Sequence, residues 1–339
     1  MNAQLSGKTV LFFGPETFNY ENEIVRELKR MGALVYFRSD KPGKTFLVKA
    51  LLRLVPRLLW RYSDKVFTAW LEASGPSDCD IVFVVKGEGL SPSFIDLLRA
   101  KYPRAQFVLY LWDSLKNVRQ VGMKLPKFDR IYSFDPLDCR NNAKFKYRPL
   151  FFLPAYRERV PQLGSGCFFI GTLNGDRPTV ISLLLRACPK DVEIDYWLFV
   201  RSGVELFVRK VIDRPLTQLA SARMLRRPMT SASIGKHFQA AAAIIDIEHP
   251  NQRGLTMRTF EVLASGKKLI TTNQNVANHD FYDPARICII DRVNPKLSAG
   301  FLNSPMTPLP PEFFEKYALH GWITEILHCA TCPDLDSQT

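Results

Sequence analysis

The sequence predicts an α/β protein made of two Rossmann-like domains, with parallel sheets whose carboxyl edges face a central cleft. Three observations predict it. Short apolar runs alternate with segments of helical period, which argues for strands joined by crossover helices. Those runs are near-continuously apolar, as strands covered on both faces are. The alternation then begins again after a proline-punctuated crossing, Lys146 to Pro154, so the pattern occurs twice.

Thr9 to Phe13 reads as the first strand and ends at Gly14. Asn22 to Met31 follows as a helix, with Ile24, Val25, Leu28 and Met31 on one face and Gly32 as its stop. Leu34 to Arg38 is the second strand. Lys41 to Lys65 is basic, with Lys49, Arg53, Arg57 and Arg61 every four residues beside leucines, Val48, Val55 and Trp60, and with Pro56 interrupting. That is the pattern of a helix lying on a membrane surface, and equally that of a helix covering the first sheet. Ile81 to Val85 is the third strand, followed by Lys86-Gly87-Glu88-Gly89. Ser91 opens a helix with Pro92 at its first position, running to about Tyr102. Gln106 to Leu111 is the fourth strand, ending in Trp112-Asp113-Ser114, and Arg130 to Phe134 the fifth, ending in Asp135.

The second domain starts near residue 158. Pro161 to Gly166 reads as loop and Cys167 to Ile170 as strand, then Gly171 to Arg177 as a polar turn and Pro178 to Cys188 as helix. Glu193 to Val200 is the next strand, and Ser233 to Ala241 a helix. Ile244 to Ile247 is a strand followed by the polar loop His249 to Gly254. Met257 to Ser265 is a short helix ended by Gly266, and Leu269 to Thr272 returns to strand before Asn273.

Composition narrows the function. With 339 residues the chain has room for two cores, and a formal charge of +13 points to an anionic partner. The first residues lack the order of a signal peptide, and no apolar run is long enough to cross a bilayer. Seven scattered cysteines fit reduced thiols, so a cytoplasmic protein is expected. No RNA-binding module with interleaved aromatic and basic residues appears, which argues against nucleic acid as the partner.

Ligands of open parallel sheets bind at the carboxyl ends of the strands, and there the polar residues gather. The backbone amides of Gly171, Thr172 and Asn174, with the following helix start, suit a phosphate, and Arg177 adds a charged fork. Neither the dinucleotide fingerprint nor a P-loop is present. His249, Gln252, Gly254 and Thr256 follow the strand Ile244 to Ile247, and Thr272 and Asn273 end the next one. Arg258, Glu261 and Ser265 share a helical face opposite Phe260, Leu263 and Ala264. A carboxylate at Glu261 suits a ribose diol. The plainer reading is an Arg–Glu pair at spacing three, contributing about a few tenths of a kcal/mol.

Arg258-x-x-Glu261-x-x-Ala264-x-Gly266, followed by Leu269-Ile270-Thr271-Thr272-Asn273, resembles the nucleotide-sugar motif of bacterial GT-B glycosyltransferases. The similarity is nearest to those of capsule, lipopolysaccharide and exopolysaccharide synthesis. It is strongest over residues 238–275, weaker from Phe169 to Arg177, and architectural in the first domain. The resemblance implies an acceptor domain over 1–158, a nucleotide-sugar domain over 159–325 and a tail over 326–339. It implies that Glu261 binds the donor ribose while neighbouring loops hold the phosphates, with the nucleotide-sugar as substrate and neither cofactor nor metal. The chain departs from the pattern of two glutamates separated by seven residues: Arg253 stands where the first would be, which leaves the donor open.

Glycosyl transfer needs a hydroxyl aimed at the anomeric carbon and, in many cases, a base. Asp113 is the leading candidate, with Glu16, Glu88 and Asp135 as competitors at other strand ends. Leaving-group charge falls to Arg177, Arg258 and helix-end amides. The expected acceptor is a glycan or a lipid-linked sugar, with residues 41–65 on an anionic membrane at its inner face. Asp78-Cys79-Asp80 precedes a strand and reads as a turn. Cys329-x-x-Cys332 with His328 and His320 reads as a reduced tail, and His249 and His279 as lining or structural groups rather than metal ligands. Two other classes stay open, a two-lobed sugar- or nucleotide-binding protein and a basic nucleic-acid-binding protein.

Overall fold

The computed structural model describes residues 4–17, 19–43, 48, 55–118, 120–157, 164–200, 203–212, 214–217, 219, 223–227, 229 and 231–327. In chain order its main elements are β1 (Thr9–Gly14), α1 (Tyr20–Arg30), β2 (Leu34–Ser39), α2 (Pro56–Ser74), β3 (Ile81–Val85), α3 (Pro92–Lys101), β4 (Gln106–Leu111), β5 (Arg130–Ser133), α4 (Pro136–Asn141) and β6 (Phe145–Tyr147). Then follow β7 (Cys167–Thr172), α5 (Arg177–Ala187), β8 (Ile194–Phe199), α6 (Gly203–Ile212), α7 (Arg214–Thr217), β9 (Met224–Leu225), α8 (Ser231–Ala240), β10 (Ala243–Asp246), α9 (Met257–Ala264), β11 (Lys268–Thr271), β12 (Ile287–Ile289), α10 (Ala299–Asn303), α11 (Pro311–Tyr317) and α12 (Leu319–Leu327).

The chain divides into two units. The first takes residues up to Leu150 and adds α12 from the far end of the chain; the second is Phe151–Tyr317. The sequence expectation put the boundary near residue 158 and left α12 with the second domain. Chemistry explains where α12 goes. Trp322 is fully buried, its ring edge-on to Tyr110 at 4.6 Å, and Arg148 meets Glu325 at 2.8 Å. His320 meets Glu27 of α1 at 2.7 Å, so the helix is fixed at both ends.

Unit 1 is a six-stranded parallel sheet in the order β2-β1-β3-β4-β5-β6. Of its central strands, β3 is buried end to end and β4 from Phe107 onward, as their apolar runs require. Phe13 packs on Phe67 of α2 and Phe94 of α3, which covers one face. Local signals set the helices: Ser91 caps α3 by accepting from Phe94 N at 2.9 Å, with Pro92 next. Pro56 opens α2 instead of interrupting a longer helix, because a proline nitrogen has no hydrogen to leave unpaired there. In the basic stretch, residues 44–47 and 49–54 lie outside the described residues, and so do Cys329, Cys332 and His328.

Asp78-Cys79-Asp80 behaves as a turn. Asp80 accepts from Thr9 N at 2.8 Å and meets Lys8 at 2.9 Å, at the amino edge of the sheet. Asp135 caps α4 by accepting from Leu137 N at 3.0 Å, and Ser114 donates to it.

Unit 2 is a second six-stranded parallel sheet, ordered β12-β11-β10-β7-β8-β9. The chain starts at β7, moves outward through β8 and β9, then returns past its start to β10. Ligands of such sheets sit outside the carboxyl ends of the strands at a reversal of this kind, here those of β7 and β10. In unit 1 the equivalent reversal lies between β1 and β3.

Candidate functional site

In unit 2 the reversal point carries a fixed polar rim. Thr172 ends β7, and the turn after it places Asn174 to accept from Gly175 N at 2.9 Å. Gly175 has φ of 57°, and a Cβ there would stand 3.3 Å from Cδ of Pro250. The turn after β7 therefore lies directly against the loop after β10, and a side chain would push them apart.

Arg177, first residue of α5, turns back across the rim. Its Nε donates to Ile247 O at 2.8 Å and its Nη1 to Thr172 O at 3.1 Å. The guanidinium thus ties the ends of β7 and β10 together. Burial works against its charge, while Asp246, Glu248 and Asp176 favour it.

The loop after β10 is held by its own polar residues. Gln252 N donates to His249 O at 2.8 Å, and Gln252 Nε2 to Gly254 O at 2.8 Å. Asn273, after β11, donates to the same Gly254 O at 3.2 Å and accepts from Asn275 N at 3.1 Å. Asp246 accepts from Thr256 Oγ1 at 2.6 Å and Thr259 Oγ1 at 3.1 Å. Thr256 is also the cap of α9, accepting from Thr259 N, so one residue joins strand end and helix start. Thr272 Oγ1 donates to Glu248 Oε2 at 2.5 Å.

Sequence reasoning missed Arg292. Its Nη1 reaches both oxygens of Asp176 at 2.8 Å, and its Nη2 reaches Glu248 O at 2.9 Å and the Glu248 carboxylate. Burial pushes the Glu248 carboxyl up, with Thr272 and Arg292 acting in the opposite direction. A signal existed: Ile287 to Ile290 is apolar and ends in Asp291-Arg292, the strand-then-polar pattern that marked the other strands.

Glu261 is more enclosed than a polar helix face predicts. Thr259 through Ala264 are all buried, and Glu261 is 2% exposed. Arg258 meets it at 3.3 Å, and the Arg258 guanidinium stands over the Phe238 ring at 5.2 Å. Tyr156 joins them. Burial pushes its hydroxyl up to about 12, helped by the Glu261 charge, while a hydrogen bond with Arg258 acts against the rise. Ser265 bonds back to Glu261 O at 2.9 Å, ending the helix rather than lining a polar face. His279 is half-buried with its ring stacked on Phe281, and burial pushes its imidazole down to about 4.

In unit 1, Asp113 and Glu88 come together and Glu16 stands on a different loop, exposed, after β1. Lys86 Nζ is 2.7 Å from Asp113 Oδ2 and 3.7 Å from Glu88 Oε2. Asp40, after β2, is fully buried and accepts from Glu88 N at 3.0 Å.

No family model matches the sequence, and no curated protein matches it by sequence. Solved structures do match the fold. HepE of Anabaena, solved with UDP-glucose, aligns with a TM-score of 0.60 at 11% identity, over 94% of this chain and 98% of that one. A glycosyltransferase from Rickettsia africae aligns at 0.57 and 11% identity, over 95% and 97%. The apo lipopolysaccharide outer core galactosyltransferase WaaB aligns at 0.50 and 14% identity, over 93% and 97%. Two six-stranded parallel sheets of this order, matched along nearly the whole chain, give the protein the GT-B fold.

Proposed function

We propose that the protein is a glycosyltransferase that moves a sugar from a nucleotide-sugar donor, bound by unit 2, to a glycan or lipid-linked acceptor, bound by unit 1. The observation that carries the reading is the rim at the β7/β10 reversal. Two strand-end loops and the start of α9 are locked into one polar surface, with Glu261 and Arg258 behind it. Preorganised donors of this kind stabilise charge as it develops on a leaving group. The residues on hand are Arg258, Arg177 and the amides opening α5 and α9, and the reaction proposed uses no metal ion. In the transfer, the acceptor oxygen bonds to the anomeric carbon as the bond to the nucleotide's phosphate oxygen breaks. The hydroxyl proton passes to a unit 1 carboxylate, Asp113 by preference over Glu88 and Glu16.

The solved complex of HepE with UDP-glucose supports a UDP-hexose as the first donor to try. The likeness to WaaB supports an acceptor in bacterial surface polysaccharide synthesis. Helix α2 supports a lipid-linked one: Leu58 is 75% and Tyr62 48% exposed beside exposed Arg57, Arg61 and Lys65. Such a face suits the cytoplasmic surface of an anionic membrane. Among the described residues no helix is long and apolar enough to cross one.

A thermal-shift panel of UDP, GDP, ADP, TDP and CMP, each with a matching sugar nucleotide, tests the reading, since a ligand of the native state raises stability. One nucleotide class should raise the melting temperature. No shift with any of them, at millimolar concentration, would remove the donor site.

A further inference from the structure

We propose that Lys86 is a positioning residue that clamps Asp113 as the acceptor-activating carboxylate of unit 1, an inference that rests on the transferase reading above. Lys86 is the first residue past β3, at the reversal of the unit 1 sheet, where a ligand of that sheet binds.

Its backbone is the first sign. Lys86 has φ of 65° and Gly87 has φ of 63°, both in the left-handed region. Glycine enters that region freely, whereas a lysine there is strained and needs its surroundings to hold it. They do. Lys86 N donates to Tyr110 O at 2.9 Å, continuing the sheet ladder. Glu88 N donates to the buried Asp40 carboxylate at 3.0 Å. Gly89 sits so close to Asp40 that a Cβ would come within 2.1 Å of its carbonyl oxygen. Lys124, itself buried, donates to Gly87 O at 2.7 Å. The loop is fixed from three sides, and the residue it fixes carries an ammonium group.

That ammonium is aimed. It meets Asp113 Oδ2 at 2.7 Å, against 3.7 Å for Glu88. Burial acts against its charge, and Asp113 and Glu88 more than offset this, so it stays protonated above its usual range. Exposure separates the two carboxylates: the Asp113 side chain is 39% exposed and that of Glu88 14%. Lys86 therefore holds Oδ2 of Asp113, on a side chain open enough to meet an acceptor. An acceptor hydroxyl bonded to Oδ1 gives up its proton there as its oxygen joins the anomeric carbon and the nucleotide leaves. Lys86 keeps its own proton throughout and touches neither substrate.

The test is steady-state kinetics of the full chain with the donor it turns over, paired with nucleotide calorimetry. Asp113→Asn should lower kcat by about a hundred- to ten-thousand-fold, as loss of a base does. Lys86→Met should lower kcat by about ten-fold or more, with donor affinity unchanged, because a misaligned base loses much of its effect. Lys86→Arg should recover most of the loss. The double variant Lys86→Met with Asp113→Asn should be no slower than Asp113→Asn alone, since groups acting as a unit are not additive. If Lys86→Met does not fold, Lys86→Gly suits the left-handed backbone and serves in its place. A near-normal kcat, or losses that multiply in the double variant, would overturn the inference and leave the transferase reading standing. A wild-type chain that binds donor and transfers nothing would overturn both.

Discussion

Asp40 offers a test of the unit 1 architecture that needs no substrate. It is fully buried after β2, with Oδ2 bonded to Glu88 N at 3.0 Å and, among the described residues, no hydrogen-bond partner for Oδ1. Burial pushes its carboxyl from 3.8 up to about 6, despite the opposing charges of Lys41 and Lys86. A rise of about two units at about 1.4 kcal/mol each is about 3 kcal/mol. The folded pKa lies above the unfolded one, so this stability is fully present below about pH 4 and lost as pH rises through 6. Between pH 5 and pH 8 the loss comes to about 1.5 kcal/mol, since half of it has already occurred by pH 5. Asp40→Asn keeps an oxygen for Glu88 N and removes the titration. Whatever fixed cost the amide brings is the same at both pH values. In urea unfolding at pH 5 and pH 8, the variant should gain about 1.5 kcal/mol on wild type across the interval. Parallel pH curves for the two proteins would refute the argument that Asp40 is a buried carboxyl in this loop.

Glu261→Gln should leave helix content unchanged and weaken nucleotide binding by about ten- to a hundred-fold, the equivalent of about 1.5–3 kcal/mol for hydrogen bonds to a charged group. Calorimetry showing undiminished affinity would take Glu261 out of the donor site. Gly175→Ala should destabilise unit 2 by about 1–2 kcal/mol through its left-handed backbone, with the Pro250 contact adding to it. A melting temperature equal to wild type would mean that the two loops are not packed as described. Leu58→Glu with Tyr62→Glu should abolish flotation with anionic vesicles while the wild type floats. If the wild type stays at the bottom of the gradient, α2 is only a covering helix.

Much of the sheet was legible because its strands are long and wholly apolar. Ile81–Val85 and Gln106–Leu111 fall where their runs begin and end. β6, β9 and β12 were not read as strands. They are two or three residues long, and Lys146 in β6 breaks any apolar run. β6 and β9 exist because a neighbouring strand offers them a ladder, which a local pattern does not contain, whereas β12 lies in the apolar run Ile287 to Ile290 that was passed over. The loops of the β7/β10 rim were legible for the same reason the strands were, as polar residues after an apolar run. Their connections were not. Arg292 reaching Asp176, or Thr272 reaching Glu248, joins segments far apart in the chain. Lys86 was passed over because nothing in Lys86-Gly87-Glu88-Gly89 announces a left-handed lysine.

The central claim is turnover of a nucleotide-sugar. The donor whose nucleotide gives the largest thermal shift should be incubated with the protein and bacterial lipid-linked acceptors, and free nucleotide measured over time. The account predicts nucleotide release with matching loss of donor, dependent on acceptor and reduced in Glu261→Gln. Donor that binds and is recovered intact, with every acceptor, would contradict it and mark the protein as a sugar-nucleotide-binding protein with no transfer chemistry.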